Sequence, residues 1–141
     1  NSRCDHIQAA VLDAKLDRID KFNKGRKMAA ALYHRELSNS KLPIQLMPEE
    51  YLETSSWHLY PIKLEDQETR ANLQQFLKKQ EIGCTPFYDQ ALHQMKVLNQ
   101  YGGETENAEK FAGCVICLPI NPLLKAAEVE EVVEALKKFF T

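Results

Sequence analysis

The side chains of this chain best suited to chemistry are four cysteines, Cys4, Cys84, Cys114 and Cys117, and four histidines, His6, His34, His58 and His93. Two of the thiols stand three apart in C-V-I-C, a spacing that can bind a metal or cycle as a dithiol when a turn brings both sulfurs together. Their surroundings argue against it. G-C-V-I-C-L-P-I is a short, β-branched, apolar run between Gly113 and Pro119, which reads as a strand from Cys114 to Leu118, and residues three apart in a strand face opposite sides. With no second cysteine pair and no histidine cluster to complete four ligands, buried reduced thiols are predicted and no metal site. A redox or metal protein acting through C-V-I-C is the weakest of three readings.

The histidines are scattered. His6 and His34 fall on a predicted helix and read as solvated or cap-like. His58 stands in a predicted strand beside Trp57, where it is either a hydrogen-bonded structural residue or a catalytic one. His93 follows Phe87 and Tyr88 in a loop-to-helix segment after Pro86; loops carry function more often than the elements they join, yet the residues alone favour a surface polar side chain here. The chain has no phosphate-cradling Gly loop, no metalloprotease helix motif and no Ser elbow.

The elements that must position these groups come from a chain of 141 residues, the usual size of one domain. Aliphatic, aromatic and Cys residues make up 44% and charged residues 27%, the composition of a folded globular protein. A formal charge of −2 with interleaved acids and bases offers no basic face for nucleic acid. No apolar run reaches the roughly 20 residues of a membrane span, and no signal peptide is legible, so no membrane partner and a cytoplasmic location are expected.

Residues 1–37 read as one long helix, from about Asp5 to Leu37, with Ser2 to Asp5 in the form of a capping box. Ile7, Val11 and Ala14 make one apolar stripe, and Leu12, Leu16, Ile19 and Phe22 another. Unbroken, the helix spans roughly 50 Å, more than the diameter of so small a domain, so part of it needs another partner. A bend is predicted at Asn23 to Gly25.

Residues 41–141 read as an α+β layer with about four short strands. The first carries Leu42, Ile44 and Leu46. The second runs from about Trp57 to Leu64, with His58, Tyr60, Ile62 and Leu64 on one face, and its Pro61 argues for an edge or a bulge. Asp66 caps a helix carrying Leu73, Phe76 and Leu77, with Gly83 as its C′ residue. A brief strand follows at Cys84 and Thr85. A short helix is expected around Leu92, Met95 and Leu98, another turn or two at E-N-A-E-K-F-A-G, then the Cys114–Leu118 strand. The last helix carries Val129, Val132, Val133 and Leu136, with acids early and lysines late as the helix dipole favours.

Four ordered segments carry a resemblance. The opening N-S-R-C-D-H-I-Q-A-A-V-L-D-A-K-L-D-R-I-D resembles the "N-x-R…Q-A-A…L-D" segment of the DegT/DnrJ family of pyridoxal-phosphate-dependent nucleotide-sugar aminotransferases. S-S-W-H-L-Y-P-I-K-L, L-K-K-Q-E-I-G-C-T-P-F-Y-D-Q-A-L-H-Q and C-L-P-I-N-P-L-L-K-A-A-E-V-E-E-V-V-E-A-L are similar to its "WHLY" strand, its His-Tyr loop with a second His, and its C-terminal helix. The likeness covers essentially all of the chain.

The resemblance implies the small C-terminal domain of an aspartate aminotransferase-type fold, with a preceding large cofactor domain that this chain lacks. The long N-terminal helix would run between the two domains. It further implies transfer of an amino group, usually from glutamate, to a keto group of a nucleotide-linked sugar, with pyridoxal phosphate held as a Schiff base by a lysine. In the family that lysine and the acid on the pyridine nitrogen both precede the N-x-R segment, and none of the lysines here matches it. No catalytic residue is therefore assigned, and the chain alone is expected to be inactive.

Asn1 matches an Asn whose amide reaches the cofactor phosphate of the neighbouring subunit, so a homodimer is implied. Arg3 matches an Arg near that interface that faces the nucleotide-sugar. Tyr88 and His93 match the Tyr and second His of the loop bordering the substrate cleft. Phe87 replaces the first His there, which puts an apolar surface where the family has a hydrogen-bonding group. The Met-less start at the N-x-R segment reads as the edge of a fragment. A non-catalytic α+β module that dimerises and binds a small ligand is the alternative from a different class.

Overall fold

A computed structural model describes residues 3–103 and 105–141. The helical segment expected over 5–37 runs as two helices, α1 (His6–Leu16) and α2 (Ile19–Ser38). The break falls at Asp17 and Arg18 and not at Asn23 to Gly25. Asp17 stands at the negative end of α1, where a carboxylate is disfavoured, whereas Asp20 sits in the first turn of α2, where one is favoured. The capping box is also one turn later than Ser2 to Asp5 suggests. The Asp5 carboxylate accepts from the Gln8 N–H at 2.9 Å, and the Gln8 side chain accepts from the Asp5 N–H at 3.2 Å.

Gly25 stays inside α2 for a reason of packing. A Cβ at this position would lie 2.1 Å from the carbonyl oxygen of Pro122, so only Gly lets the turn after the last strand come this close. Helix α2 buries Ala29, Ala30, Tyr33 and Leu37, while α1 buries nothing.

Three strands form the sheet: β1 (Gln45–Leu46), β2 (Tyr60–Lys63) and β3 (Val115–Leu118), antiparallel in the order β1-β2-β3. Ile62 pairs with Leu46 on one side and Ile116 on the other. Pro61 thus sits in the central strand, contrary to an edge or bulge. It is tolerated because β1 ends at Leu46, opposite Ile62, and leaves Pro61 facing β3 alone. The strand expected at Cys84 and Thr85 is a single bridge between Thr85 and Cys117.

The second strand starts three residues later than expected. Trp57 takes a left-handed conformation (φ 49°) that turns its indole inward and leaves His58 exposed. His58 therefore does not share the buried face of Tyr60, Ile62 and Leu64. In C-V-I-C, Cys114 closes a helix and only Cys117 lies in β3. Cys84, Cys114 and Cys117 are free thiols, and burial pushes the Cys84 and Cys117 thiols above their usual range.

Helices α2, α4 (Gln67–Lys79) and α6 (Ala126–Phe140) enclose the core, α6 packing on both of the others. A short α3 (Tyr51–Thr54) lies against α2, and α5 (Glu106–Cys114) lies beside α4. Tyr33 stacks on Tyr60 with ring centroids 4.9 Å apart and donates its hydroxyl to the Pro119 carbonyl at 3.0 Å. Burial raises both phenols above their ordinary range. Asp66 caps α4 as expected; the Thr69 N–H, 2.7 Å away, holds its carboxyl below the usual value.

The other end of α4 differs. The Ile82 N–H reaches Leu77 O and the Glu81 N–H reaches Lys78 O, a Schellman motif whose C′ residue is Glu81 at φ 60°, not Gly83. A side chain in that conformation is strained, so Glu81→Gly raises stability by about 0.5–1 kcal/mol after allowing for the freer unfolded chain. A higher urea midpoint with unchanged slope is the expected reading; an unchanged or lower midpoint rules out the strain.

Candidate functional site

Of the candidate residues, Phe87, Tyr88 and His93 lie in the segment that follows Cys84, between α4 and α5. The Thr85–Cys117 bridge ties its start to β3 through N–H···O bonds of 3.3 and 3.0 Å. Phe87 follows, its N–H donating to Thr85 O at 3.0 Å, and then Tyr88 in the left-handed region (φ 57°). Where a helix is expected around Leu92, Met95 and Leu98, the structure has two 3₁₀ turns, Leu92–Gln94 and Asn99–Tyr101. Leu92 and Met95 are exposed, so no buried stripe is available to sustain an α-helix there.

Two clefts flank this segment. One of about 180 Å³ is lined by His58, Leu59, Cys84, Phe87, Cys117 and Pro119 among others, which brings the W-H-L-Y segment and the Phe87 loop to one place. The other, of about 370 Å³, is polar and includes Gln67, Arg70, Asp89, Gln94 and Glu109 in its lining. Arg70 is buried and donates Nη1 to the Ala112 carbonyl at 3.0 Å, joining α4 to α5.

His93 lies near the second cleft with both ring nitrogens engaged: Nε2 is 2.7 Å from Glu109 Oε1, and Nδ1 is 2.9 Å from Thr105 Oγ1. Tyr88 is three-quarters exposed and lines neither cleft. Arg3 is exposed ahead of α1 and lines neither cleft. Asn1 lies outside the described residues. Among the described residues, no group of three or more His, Cys, Asp or Glu is placed to hold a metal ion.

Arg70, Thr105 and Glu109 were not singled out from the sequence. Arg70 had a legible signal, a charge at i of the i, i+3, i+7 stripe completed by Leu73 and Leu77. Thr105 stands at the N-cap of α5, and nothing local reveals that its hydroxyl is used elsewhere.

The model of the DegT/DnrJ/EryC1/StrS aminotransferase family matches residues 1–137. The chain belongs to this family. It is 30% identical, over 99% of its own length, to a dTDP-3-amino-3,6-dideoxy-alpha-D-galactopyranose transaminase of Aneurinibacillus thermoaerophilus, and covers 37% of that protein. Its fold superposes on Streptomyces venezuelae DesV, solved with a ketimine intermediate, with a TM-score of 0.83 at 29% identity, covering 98% of this chain and 37% of DesV.

NtdA of Bacillus subtilis, solved with bound cofactor PMP, gives a TM-score of 0.73 at 28% identity, covering 84% of this chain and 28% of NtdA. The chain thus spans between 28% and 37% of these relatives, and it corresponds to their C-terminal part. Its α+β architecture, helices over a small antiparallel sheet, is that of the C-terminal portion of DegT-family aminotransferases. Among the described residues, no helix is long and apolar enough to cross a membrane.

Proposed function

We propose that this chain serves as the C-terminal domain of a pyridoxal-phosphate-dependent enzyme that transfers an amino group, from glutamate, to a keto group of a nucleotide-linked sugar. The observation that carries this reading is the family match along residues 1–137 in a chain spanning 37% of a sugar transaminase. Helix α1 supports it. Ile7, Val11, Leu12 and Leu16 are all exposed on a helix with no buried residue, as suits an element that further protein covers. On this reading the protein is a cytoplasmic homodimer, Asn1 reaches the cofactor phosphate of the neighbouring subunit, and Arg3, Phe87, Tyr88 and His93 belong to the nucleotide-sugar side of the site.

The residues present do not make the cofactor's covalent site. A Schiff-base lysine must offer a neutral amine, which proteins arrange by burial or by a neighbouring cation. Among the described residues no lysine is buried, and the hydrogen bond from Lys137 to Glu134 raises the Lys137 pKa, favouring the charged form. On this reading the chain alone is inactive.

Mixing this polypeptide with pyridoxal phosphate and glutamate is expected to give neither the visible absorbance of a protein Schiff base nor its loss on transamination. The longer polypeptide that adds the preceding cofactor domain is expected to give both. Turnover by the chain alone overturns the claim of inactivity; failure of the longer protein with a panel of nucleotide-linked keto sugars overturns the assigned activity.

A further inference from the structure

Thr105 stands at the N-cap of α5, where a threonine hydroxyl ordinarily accepts from the backbone of the first turn. It makes no such bond. The hydroxyl meets Nδ1 of His93 at 2.9 Å, and Glu109, four residues on and so on the same helix face, meets Nε2 at 2.7 Å. A carboxylate has no proton to offer, so Nε2 carries the hydrogen; in the neutral ring, Nδ1 accepts from the Thr105 hydroxyl. If the ring is protonated, the hydroxyl rotates and accepts instead. The contact is thus satisfied in both charge states, and it leaves neither nitrogen for a substrate.

The imidazole holds the chain in place. Gln94, next to His93, closes its own 3₁₀ turn by accepting from the Ala91 N–H at 3.1 Å. Tyr88 stands five residues before His93 at φ 57° with 75% of its surface exposed. Non-glycine residues adopt this conformation uncommonly; it occurs at helix ends, as at Glu81, and clusters at ligand contacts.

We propose that Thr105 and Glu109 are positioning residues, clamping the 88–94 segment to α5 through His93 so that Tyr88 is preset as an exposed contact for a bound nucleotide-linked sugar. The sugar contact rests on the aminotransferase reading above; the clamp does not.

Hydrogen exchange on this chain tests the clamp. In Thr105→Val and in Glu109→Ala the hydrogen-bonded amides of this segment, Ala91 and Gln94, are expected to exchange roughly ten-fold faster, and Thr105→Ser is expected to keep the native rate. NMR supplies a second readout: a protected His93 Nε2–H resonance, present in the native chain and lost in Glu109→Ala. Exchange rates within about two-fold of native in both variants, with the ring proton retained, overturn the clamp.

In the complete aminotransferase, Thr105→Val is expected to raise KM for the keto sugar about three-fold or more while kcat falls less. An unchanged KM beside a loosened segment overturns the sugar contact. A wild-type enzyme with no aminotransferase activity overturns the functional reading and leaves the exchange measurement to decide the clamp.

Discussion

Replacing Trp57 by Ala lowers the stability of this fold by about 4 kcal/mol, the range for truncating a buried aromatic that the surroundings cannot fill. Trp57 is 3% exposed, its ring lies 5.4 Å from that of Tyr60, and its indole Nε1 donates to the Leu52 carbonyl at 3.1 Å. The backbone around it is held from α2: Arg26 Nε donates to Ser56 O at 3.1 Å, and the Lys27 ammonium reaches Glu53 O. Truncation therefore opens a cavity, leaves the Leu52 carbonyl unpaired, and removes what fixes His58 and Leu59 along the Phe87 cleft.

Trp57→Phe keeps most of the volume and loses mainly the indole hydrogen bond, for about 1–2 kcal/mol. Guanidinium unfolding followed by far-UV circular dichroism checks both variants. A loss below about 1.5 kcal/mol for Trp57→Ala shows that the ring does not hold this part of the core.

Gly25→Ala is expected to cost about 2 kcal/mol net, against the usual direction for a helical glycine. Alanine gains up to about 1 kcal/mol of helix propensity, but its Cβ falls 2.1 Å from a backbone carbonyl, which only a shift of the Pro119–Leu124 turn relieves. That turn also receives the Tyr33 hydroxyl at Pro119, so its movement disturbs the Tyr33–Tyr60 stack. The check is a lower urea midpoint at constant slope, with near-ultraviolet dichroism reporting on the tyrosines. A midpoint at or above that of the native chain shows that the contact with Pro122 is soft.

The clearest elements in the sequence were those whose cause lies within a few residues. Helix α6 shows its buried stripe Val129, Val132, Val133 and Leu136 at helical spacing, and α4 shows Asp66 as its cap, because periodicity and capping are local. Four ordered family segments told the fold class and the family, since they sample a whole pattern and no single spacing decides.

Other features depended on distant partners. Gly25 looked like a helix breaker and is a contact point for a turn almost a hundred residues away. Pro61 looked like an edge residue and is central, because the neighbouring strand stops two residues long. The C-V-I-C thiols divide between a helix end and a strand. For the site the family segments named Asn1, Arg3, Phe87, Tyr88 and His93, of which the last three share one stretch of chain.

Folding gave these residues their tasks: Phe87 to a cleft shared with His58, Tyr88 to solvent, and His93 to a clamp with Thr105 and Glu109. Short-range order follows from backbone sterics and side-chain periodicity, which any window of the chain carries. Which polar groups meet across the fold follows from how α4, α5 and β3 pack, and that packing answers to the whole buried core at once.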